Sequence, residues 1–374
     1  MKILKYFLLA LIILNLPTFG IKTFGSTIGS LLSILLFGSA LLYFFFNKKN
    51  KAPIPFILLG LTYFLISGIN YTGVLREFIV DAIKYFIFII STVHLAKNTT
   101  QKELGILLII GAASVLINAM FFSTHYGRYG GFYINPNRAG VACLIAFSLT
   151  FLIKKKLIKL ILQLLIVTAG IMTLSRYFIL LLVIINIIAI ISNRKNSISL
   201  IAGTFAIIIV LSISSIFQLN TTRFSAFQSI FNSSEVETKT ITKGSREETW
   251  ALYTDIILNN PILGNGYNSL HGNKSNFSSD IRSGVHNTYL MALGEAGIIP
   301  FLLFIIVYIS LFIKSLKYYK THLEYLCIAT ILMTFLLVSH NYFDNYLALF
   351  ISMWLYEKLK SNPKYYHKTL VEIE

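Results

Sequence analysis

Residues 244–297 read GSREETWALYTDIILNNPILGNGYNSLHGNKSNFSSDIRSGVHNTYLMALGEAG, and they form the most polar stretch of a very apolar chain. This stretch contains two arginines, Arg246 and Arg282, and two histidines, His271 and His286. Its last residues run into an apolar segment. A polar stretch between apolar spans is where a membrane protein can carry out chemistry at the water interface. We therefore expect the rest of the chain to hold these residues at one face of a bilayer.

The composition predicts a membrane protein. The 374 residues are 56% hydrophobic and 13% charged, whereas a soluble domain carries about 25% charged residues. Apolar runs of ~17–25 residues recur along the chain, and each is long enough to cross a bilayer as a helix. We predict an all-α, polytopic integral membrane protein with about 12 transmembrane helices. The predicted spans are 4–20, 27–46, 54–70, 78–96, 104–122, 136–153, 157–174, 176–192, 198–217, 287–312, 325–342 and 346–358.

The distribution of lysine sets the orientation. With the N-terminus in the cytoplasm, the segments on the inner side carry 20 of the 32 basic residues, as the positive-inside rule requires. Both termini are then cytoplasmic. We predict that residues 1–374 form a single transmembrane domain and that residues 218–286 form one large external loop inserted between two spans. Because the basic residues follow the topology in this way, the net charge of +17 does not indicate a nucleic-acid partner.

Arginine has the opposite distribution from lysine. Seven of the eight arginines fall on the predicted outer side. Topology requires only positive charge, but arginine grips phosphate or carboxylate with two parallel hydrogen bonds. The alternative is that these arginines pair with lipid headgroups or with acidic residues of the loops. The outer arginines are Arg76, Arg128, Arg138, Arg176, Arg223, Arg246 and Arg282.

Three of these arginines fall at predicted helix starts. Asn135 is suited to cap a helix that contains Arg138 in its first turn, and Ser175 is suited to cap one that begins at Arg176. Arg246 follows a serine in a capping-box pattern. A cation at a helix N-terminus opposes the macrodipole. The placement is favourable if an anion binds there, because helix N-termini and arginines then bind it together.

Histidine and carboxylate candidates lie at the later spans. Asn287 is the expected cap of an inward-running helix, which places His286 just outside its positive end. That position disfavours imidazolium, so His286 is a candidate proton acceptor. Glu295 lies inside the span, either as a functional carboxylate or as a hydrogen-bonding group that holds the helices together. We expect His340 to form a polar cluster on the outer side with Asn341 and Asp344, which are close to it in the sequence. We expect His271 to be solvated.

Several motifs are absent from the sequence. It has no phosphate-binding loop of the GxxxxGK[ST] type, no HExxH motif and no Cys/His cluster with metal-ligand spacing. We therefore expect no bound metal, no ATP and no other cofactor.

The order of the motifs resembles the O-antigen ligase and O-antigen polymerase family of bacterial envelope glycosyltransferases. The resemblance covers about residues 128–300. The motifs are YGGFYINPNRA at Tyr129–Ala139, Leu174-Ser175-Arg176, Arg246 with Trp250, PILGNG at Pro261–Gly266, HNTYL at His286–Leu290 and GEAG at Gly294–Gly297.

The resemblance implies a multi-pass enzyme of the bacterial inner membrane whose active face, including the loop 218–286, is periplasmic. Such an enzyme takes a glycan from an undecaprenyl-pyrophosphate carrier and joins it to a sugar hydroxyl. The acceptor is the lipid A core for a ligase and another carrier-linked repeat for a polymerase. The family's functional arginine and histidine match Arg246 and His286 here, and Arg176 matches a further family arginine. Some ligases have a second histidine two residues before the first, where this chain has Gly284.

We assign the catalytic roles to His286 and Arg246 on this basis. The proposed pyrophosphate-binding residues are Arg176, Arg138, Arg223, Arg128 and Arg282, and the supporting residues are Glu295, Asn287 and His340. Membrane lipids are further partners. The alternative function is a transporter or flippase of lipid-linked oligosaccharide. Transporters usually contain two related halves, and residues 1–175 and 176–374 show no such similarity.

Overall fold

The computed structural model describes residues 1–47, 51–122, 127–213, 250–272 and 284–361. These residues form fifteen α-helices and three short 3₁₀-helices. The α-helices are α1 (Lys2–Ile13), α2 (Leu16–Phe24), α3 (Ser26–Phe45), α4 (Ile54–Ile69), α5 (Leu75–Asn98), α6 (Gln101–Phe121), α7 (Pro136–Leu149), α8 (Lys156–Met172), α9 (Arg176–Ser192), α10 (Ile198–Ile213), α11 (Thr254–Asn259), α12 (Thr288–Ala296), α13 (Ile298–Leu316), α14 (Leu323–Phe335) and α15 (Tyr346–Lys360). The 3₁₀-helices are Gly131–Tyr133, Thr150–Leu152 and Arg194–Ser197.

Four of these helices, α3, α5, α6 and α13, are long and apolar enough to cross a membrane. Helices α1 and α2 meet the same criterion as a pair, although the chain bends by 62° between them. The apolar segments at α4, α7, α9 and α14 are shorter. The described part of the chain is thus an all-helical, multi-pass membrane protein with four or five candidate spans by length and composition. The number of twelve stays a prediction.

Two predicted spans are wrong as continuous helices. Span 287–312 is divided into α12 and α13 at Gly297, whose φ of 78° is in the left-handed region that glycine adopts without steric cost. Span 4–20 is divided between α1 and α2 near Asn15, which also has a positive φ, of 53°. In both cases the apolar pattern continues through the break, so hydropathy alone did not locate it.

The outward faces of the helices are apolar. Ile34, Leu65 and Ile191 are 68%, 64% and 73% exposed, and they belong to α3, α4 and α9. A water-soluble monomer rarely exposes a continuous apolar surface of this kind. Such a surface requires contact with the hydrocarbon of a lipid bilayer.

Stacked aromatic residues fix the loop between α14 and α15. Phe343 stacks on Tyr63 of α4 with ring centroids 4.0 Å apart, and Tyr308 of α13 donates a hydrogen bond to the Tyr342 hydroxyl at 3.1 Å. Tyr63, Tyr308 and Tyr342 are buried. The loop that carries His340 is therefore held against two helices, and this sets the position of one side of the site.

Candidate functional site

Three histidines from separate segments meet at the start of α12. His286 immediately precedes the helix, His340 lies in the loop between α14 and α15, and His271 lies in the segment after α11. The His286 and His340 rings have centroids 4.3 Å apart, and the His340 and His271 rings 5.1 Å. We call these three residues the histidine cluster. The structure places His286 and His340 together, as two of the predicted functional residues.

Backbone and side-chain hydrogen bonds clamp the start of α12 to the neighbouring loop. The Asn287 side chain accepts from Tyr289 N and Leu290 N, which confirms the predicted cap. Thr288 N donates to Leu336 O and Thr288 Oγ1 to Ser339 O, both at 2.7 Å. These hydrogen bonds hold the segment that carries His286 against the loop that carries His340.

His286 itself has a φ of 48°. A side chain other than glycine is uncommon in this left-handed region, where histidine is among the residues that tolerate it best. Such a conformation persists only when the surroundings enforce it, and it is enriched at functional sites. The cap directly after His286 and the clamp to Leu336 and Ser339 supply that enforcement.

Glu295 anchors the third histidine. Its side chain is fully buried, with 0% exposure. Its Oε1 accepts from Leu270 N at 3.0 Å and lies 3.0 Å from His271 Nδ1, and Tyr63 OH donates to its Oε2. The expectation that His271 is solvated is therefore wrong, since its side chain is only 23% exposed. Of the two roles considered for Glu295, the structure shows the hydrogen-bonded anchor.

The PILGNG turn packs on the end of α12. Asn265 N donates to Gly294 O at 2.7 Å and Gly266 N to Glu295 O at 3.1 Å. Gly264 has a φ of 72°, and a Cβ there would collide with the backbone of Glu295. The turn and the GEAG motif are thus parts of one structure, whose effect is to place Leu270 and His271 on Glu295.

The described arginines of the predicted set meet at the starts of α7 and α9. Arg128 Nε donates to Thr173 O at 3.0 Å, and its Nη2 donates to Asn137 Oδ1 at 3.2 Å. The same Asn137 oxygen accepts from Ser175 Oγ at 3.1 Å. Two helix N-termini therefore lie side by side.

The predicted caps of these helices are confirmed. The Asn135 side chain accepts from Arg138 N, and Ser175 Oγ accepts from Phe178 N. Arg138 consequently lies in the first turn of α7. Arg176 is the first residue of α9, and its side chain is exposed. We call Arg128, Arg138 and Arg176 the arginine face. Arg223, Arg246 and Arg282 lie outside the described residues.

Asp344 connects the arginine face electrostatically to the histidine cluster. Its side chain reaches solvent within a recess of the protein. The surrounding protein raises the pKa of the Asp344 carboxyl, and the charges of Arg138 and His271 partly offset that rise. Both groups therefore act on this one carboxyl, which sequence reasoning named only as a neighbour of His340.

A cleft of about 430 Å³ opens beside the histidine cluster. Carboxylates, aromatic rings and amides line it, and we call it the acidic cleft. Its lining residues are Tyr63, Glu77, Asp81, Lys84, Tyr267, Asn268, His271, Met291, His340, Asn341, Tyr342, Phe343, Asp344 and Tyr346. Lys84 Nζ lies 3.4 Å from Asp81 Oδ1, one helical turn away on α5.

Tyr267 is held in the wall of this cleft by a carboxylate. Its hydroxyl donates to Asp81 Oδ2 at 3.0 Å. Burial and the neighbouring Asp81 charge raise the pKa of Tyr267 well above its ordinary value. The phenol therefore stays protonated and serves as a hydrogen-bond donor rather than as a proton acceptor.

Sequence reasoning did not find Tyr63, Tyr267 or Asp81 as parts of the site. One local signal existed for the position of His340. A Cβ at Gly284 would lie 2.8 Å from His340 Nε2 and 2.9 Å from His271 O, so only glycine leaves room for that ring. The glycine was visible in the sequence, but its partner lies 56 residues later in the chain.

Within the described residues, no group of three His, Cys, Asp or Glu side chains has the arrangement of a metal site. The three histidines are instead arranged edge to face. His271 also contacts Glu295, and His271 and His340 line the acidic cleft.

Residues 160–305 match the family model described as O-antigen ligase. Over this segment, the chain is similar to the O-antigen ligase family. The matched segment contains Arg176, the PILGNG turn, His286 and Glu295, whereas Arg128, Arg138 and His340 lie outside it. The match supports a function of ligase or polymerase type in polysaccharide biosynthesis. No curated protein matches the chain.

Proposed function

We propose that the protein is a glycosyltransferase that moves a glycan from an undecaprenyl-pyrophosphate carrier to a sugar hydroxyl at the periplasmic face of the bacterial inner membrane. One observation carries this proposal: Arg138 of the arginine face shares a recess with Asn345, and the neighbouring Asp344 lines the acidic cleft together with His271 and His340. A site for a diphosphate and a site for a proton acceptor thus adjoin one another. The family match over residues 160–305 supports the reaction class.

The arginine face is the proposed site of the donor diphosphate. Two adjacent helix N-termini present backbone N–H groups and a positive dipole end, and three guanidinium groups add full charges. Breaking the bond between the anomeric carbon and the phosphate oxygen leaves the bonding electrons on the diphosphate. Donors aimed at this developing charge lower the barrier, and one such donor contributes about 3 kcal/mol. We propose that Arg246, Arg223 and Arg282 complete the set.

His286 is the proposed proton acceptor. The acceptor oxygen forms the new bond to the anomeric carbon, and its proton passes to the imidazole as the diphosphate leaves. A histidine just outside a helix N-terminus is disfavoured as imidazolium, which keeps it able to accept. The acceptor hydroxyl enters from the acidic cleft, where His340 packs on His286.

The acceptor is the lipid A core in a ligase and a second carrier-linked repeat in a polymerase. Loss of the gene distinguishes these cases from each other and from transport. Analysis of the carrier lipid should reveal long glycans on the carrier for a ligase and single repeats for a polymerase. A carrier that retains its glycan on the cytoplasmic leaflet would instead establish a flippase and contradict transfer.

A further inference from the structure

The acidic cleft has the dimensions of a ligand site. Its volume of about 430 Å³ lies within the range of about 300–1,000 Å³ that is usual for small-molecule pockets. His271 and His340 line it, and His340 packs on His286. A molecule in the cleft therefore lies against the histidine cluster.

The walls of the cleft combine aromatic rings with polar groups. Tyr267, Phe343 and Tyr346 contribute partly exposed rings. Asn268 and Asn341 contribute amides, which both donate and accept hydrogen bonds. A sugar has an apolar C–H face and a rim of hydroxyls. Aromatic rings cover an apolar face of this kind, while amides and carboxylates bind the rim.

The charge of the cleft is negative. Glu77, Asp81 and Asp344 line it, and the ammonium group among its lining residues is that of Lys84, 3.4 Å from Asp81. The imidazoles add positive charge only when they are protonated. A carboxylate or phosphate on a ligand here would face like charges, and such juxtaposition is how binding sites reject wrong partners. The described guanidinium groups of the site lie instead on the arginine face.

We propose that the acidic cleft binds the acceptor sugar and selects one without carboxylate or phosphate, namely a neutral or an amino sugar. This inference rests on the proposed transfer reaction, because that reaction supplies an acceptor. The two substrates are then sorted by charge, with the donor diphosphate at the arginine face and the acceptor in the cleft. A phosphorylated core sugar is disfavoured as the acceptor.

The test is a binding measurement that needs no turnover. The full-length protein in lipid nanodiscs is titrated with three trisaccharides of equal length: neutral chitotriose, its deacetylated amino form and trigalacturonate. We expect the neutral and amino sugars to bind and the acidic one to bind at least about tenfold more weakly, because like charges oppose it. Equal binding of trigalacturonate and chitotriose would overturn the inference.

Variants test whether the carboxylates of the acidic cleft cause the selectivity against the acidic sugar. The double variant Glu77→Gln, Asp81→Asn should raise the affinity for trigalacturonate relative to that for chitotriose at least about threefold. Asp255→Asn, which removes an exposed carboxylate of α11 outside the cleft lining, should change neither. A protein that transfers glycan but binds none of the three sugars contradicts the inference alone. A protein that shows this selectivity but transfers no glycan contradicts the transfer reaction alone.

Discussion

The two sides of the site differ in how they are built. The arginine face consists of two helix N-termini joined through one amide, Asn137, and Arg176 there is exposed. The histidine side consists of three loop segments: the one that carries His271 is bonded to the buried Glu295, and the other two are joined through Thr288. The first arrangement suits a large charged group that enters from outside. The second suits proton transfer, which requires side chains fixed in place.

The largest expected effect comes from His286. His286→Ala should lower glycan transfer by about 10²–10⁴-fold, the range of general-base catalysis, with little change in donor binding. The assay is product formation by purified protein in nanodiscs. His322→Ala is the matched control, because His322 contacts Glu324 at the start of α14, away from the cleft lining. Equal losses of glycan transfer in His286→Ala and His322→Ala would show that His286 has no specific role in the reaction.

The arginine face should respond next. Arg138→Ala or Arg176→Ala should each lower kcat by about 100-fold, because each removes one donor to the leaving diphosphate. Lysine at either position should restore only part of the rate, since it cannot form two parallel hydrogen bonds. Arg194→Ala serves as the control in the 3₁₀-helix Arg194–Ser197. Full activity in Arg138→Lys would show that charge alone suffices.

The anchor on the histidine side should affect stability as well as rate. In Glu295→Gln, one oxygen is replaced by an NH₂ group, so either Tyr63 or the Leu270–His271 pair loses its acceptor. Leaving a buried donor unsatisfied costs about 1–3 kcal/mol, which should lower Tm. Tyr63→Phe leaves the buried Glu295 Oε2 without its donor and should lower Tm by at least a similar amount. A Tm for Glu295→Gln equal to that of the wild type would contradict the anchor role.

Gly284 tests the packing of the histidine cluster. Gly284→Ala places a Cβ within 3 Å of both His340 Nε2 and His271 O, so the ring must shift and transfer should fall by about tenfold, as misplacement at a catalytic site can cause. Gly203→Ala is the control, since its Cβ meets no atom within 4 Å. If both variants transfer at the wild-type rate, His340 does not need its observed position.

The smallest effect is expected from the ion pair at the cleft rim. Asp81 and Lys84 each expose 42% of their side chains, and pairs of this kind contribute about 0–1 kcal/mol. Lys84→Ala should therefore change Tm by about 1 °C or less. A large fall in Tm would show that the cleft rim supports the fold as well as binding the acceptor.

Local features of the site could be predicted from the sequence. The caps Asn135, Ser175 and Asn287 were found because capping depends on residues within one turn. The contacts of His271 with Glu295, and of His340 with His286, depend on how distant segments pack. Gly284, which leaves room for the His340 ring, is a local signal for part of this packing, but it does not reveal which distant residue it faces.

The helix breaks illustrate the same limit. Gly297 and Asn15 interrupt apolar runs that hydropathy treats as continuous, and the backbone conformation at those residues decides the outcome. The break at Gly297 matters for the site, because it ends α12 where the PILGNG turn packs. A Cβ at Gly297 would collide with the Ile262 backbone. The positive φ and the close packing together explain why glycine is required there.

Reconstitution tests most directly whether the protein transfers glycan by means of His286 and Arg246. Purified protein in nanodiscs is given an undecaprenyl-pyrophosphate-linked glycan and an acceptor sugar, and both products are measured. We expect the wild type to form the extended glycan and release undecaprenyl pyrophosphate in equal amounts, and His286→Ala and Arg246→Ala to form neither. An extended glycan formed equally well by both variants, or carrier released without any new glycan, would contradict the account.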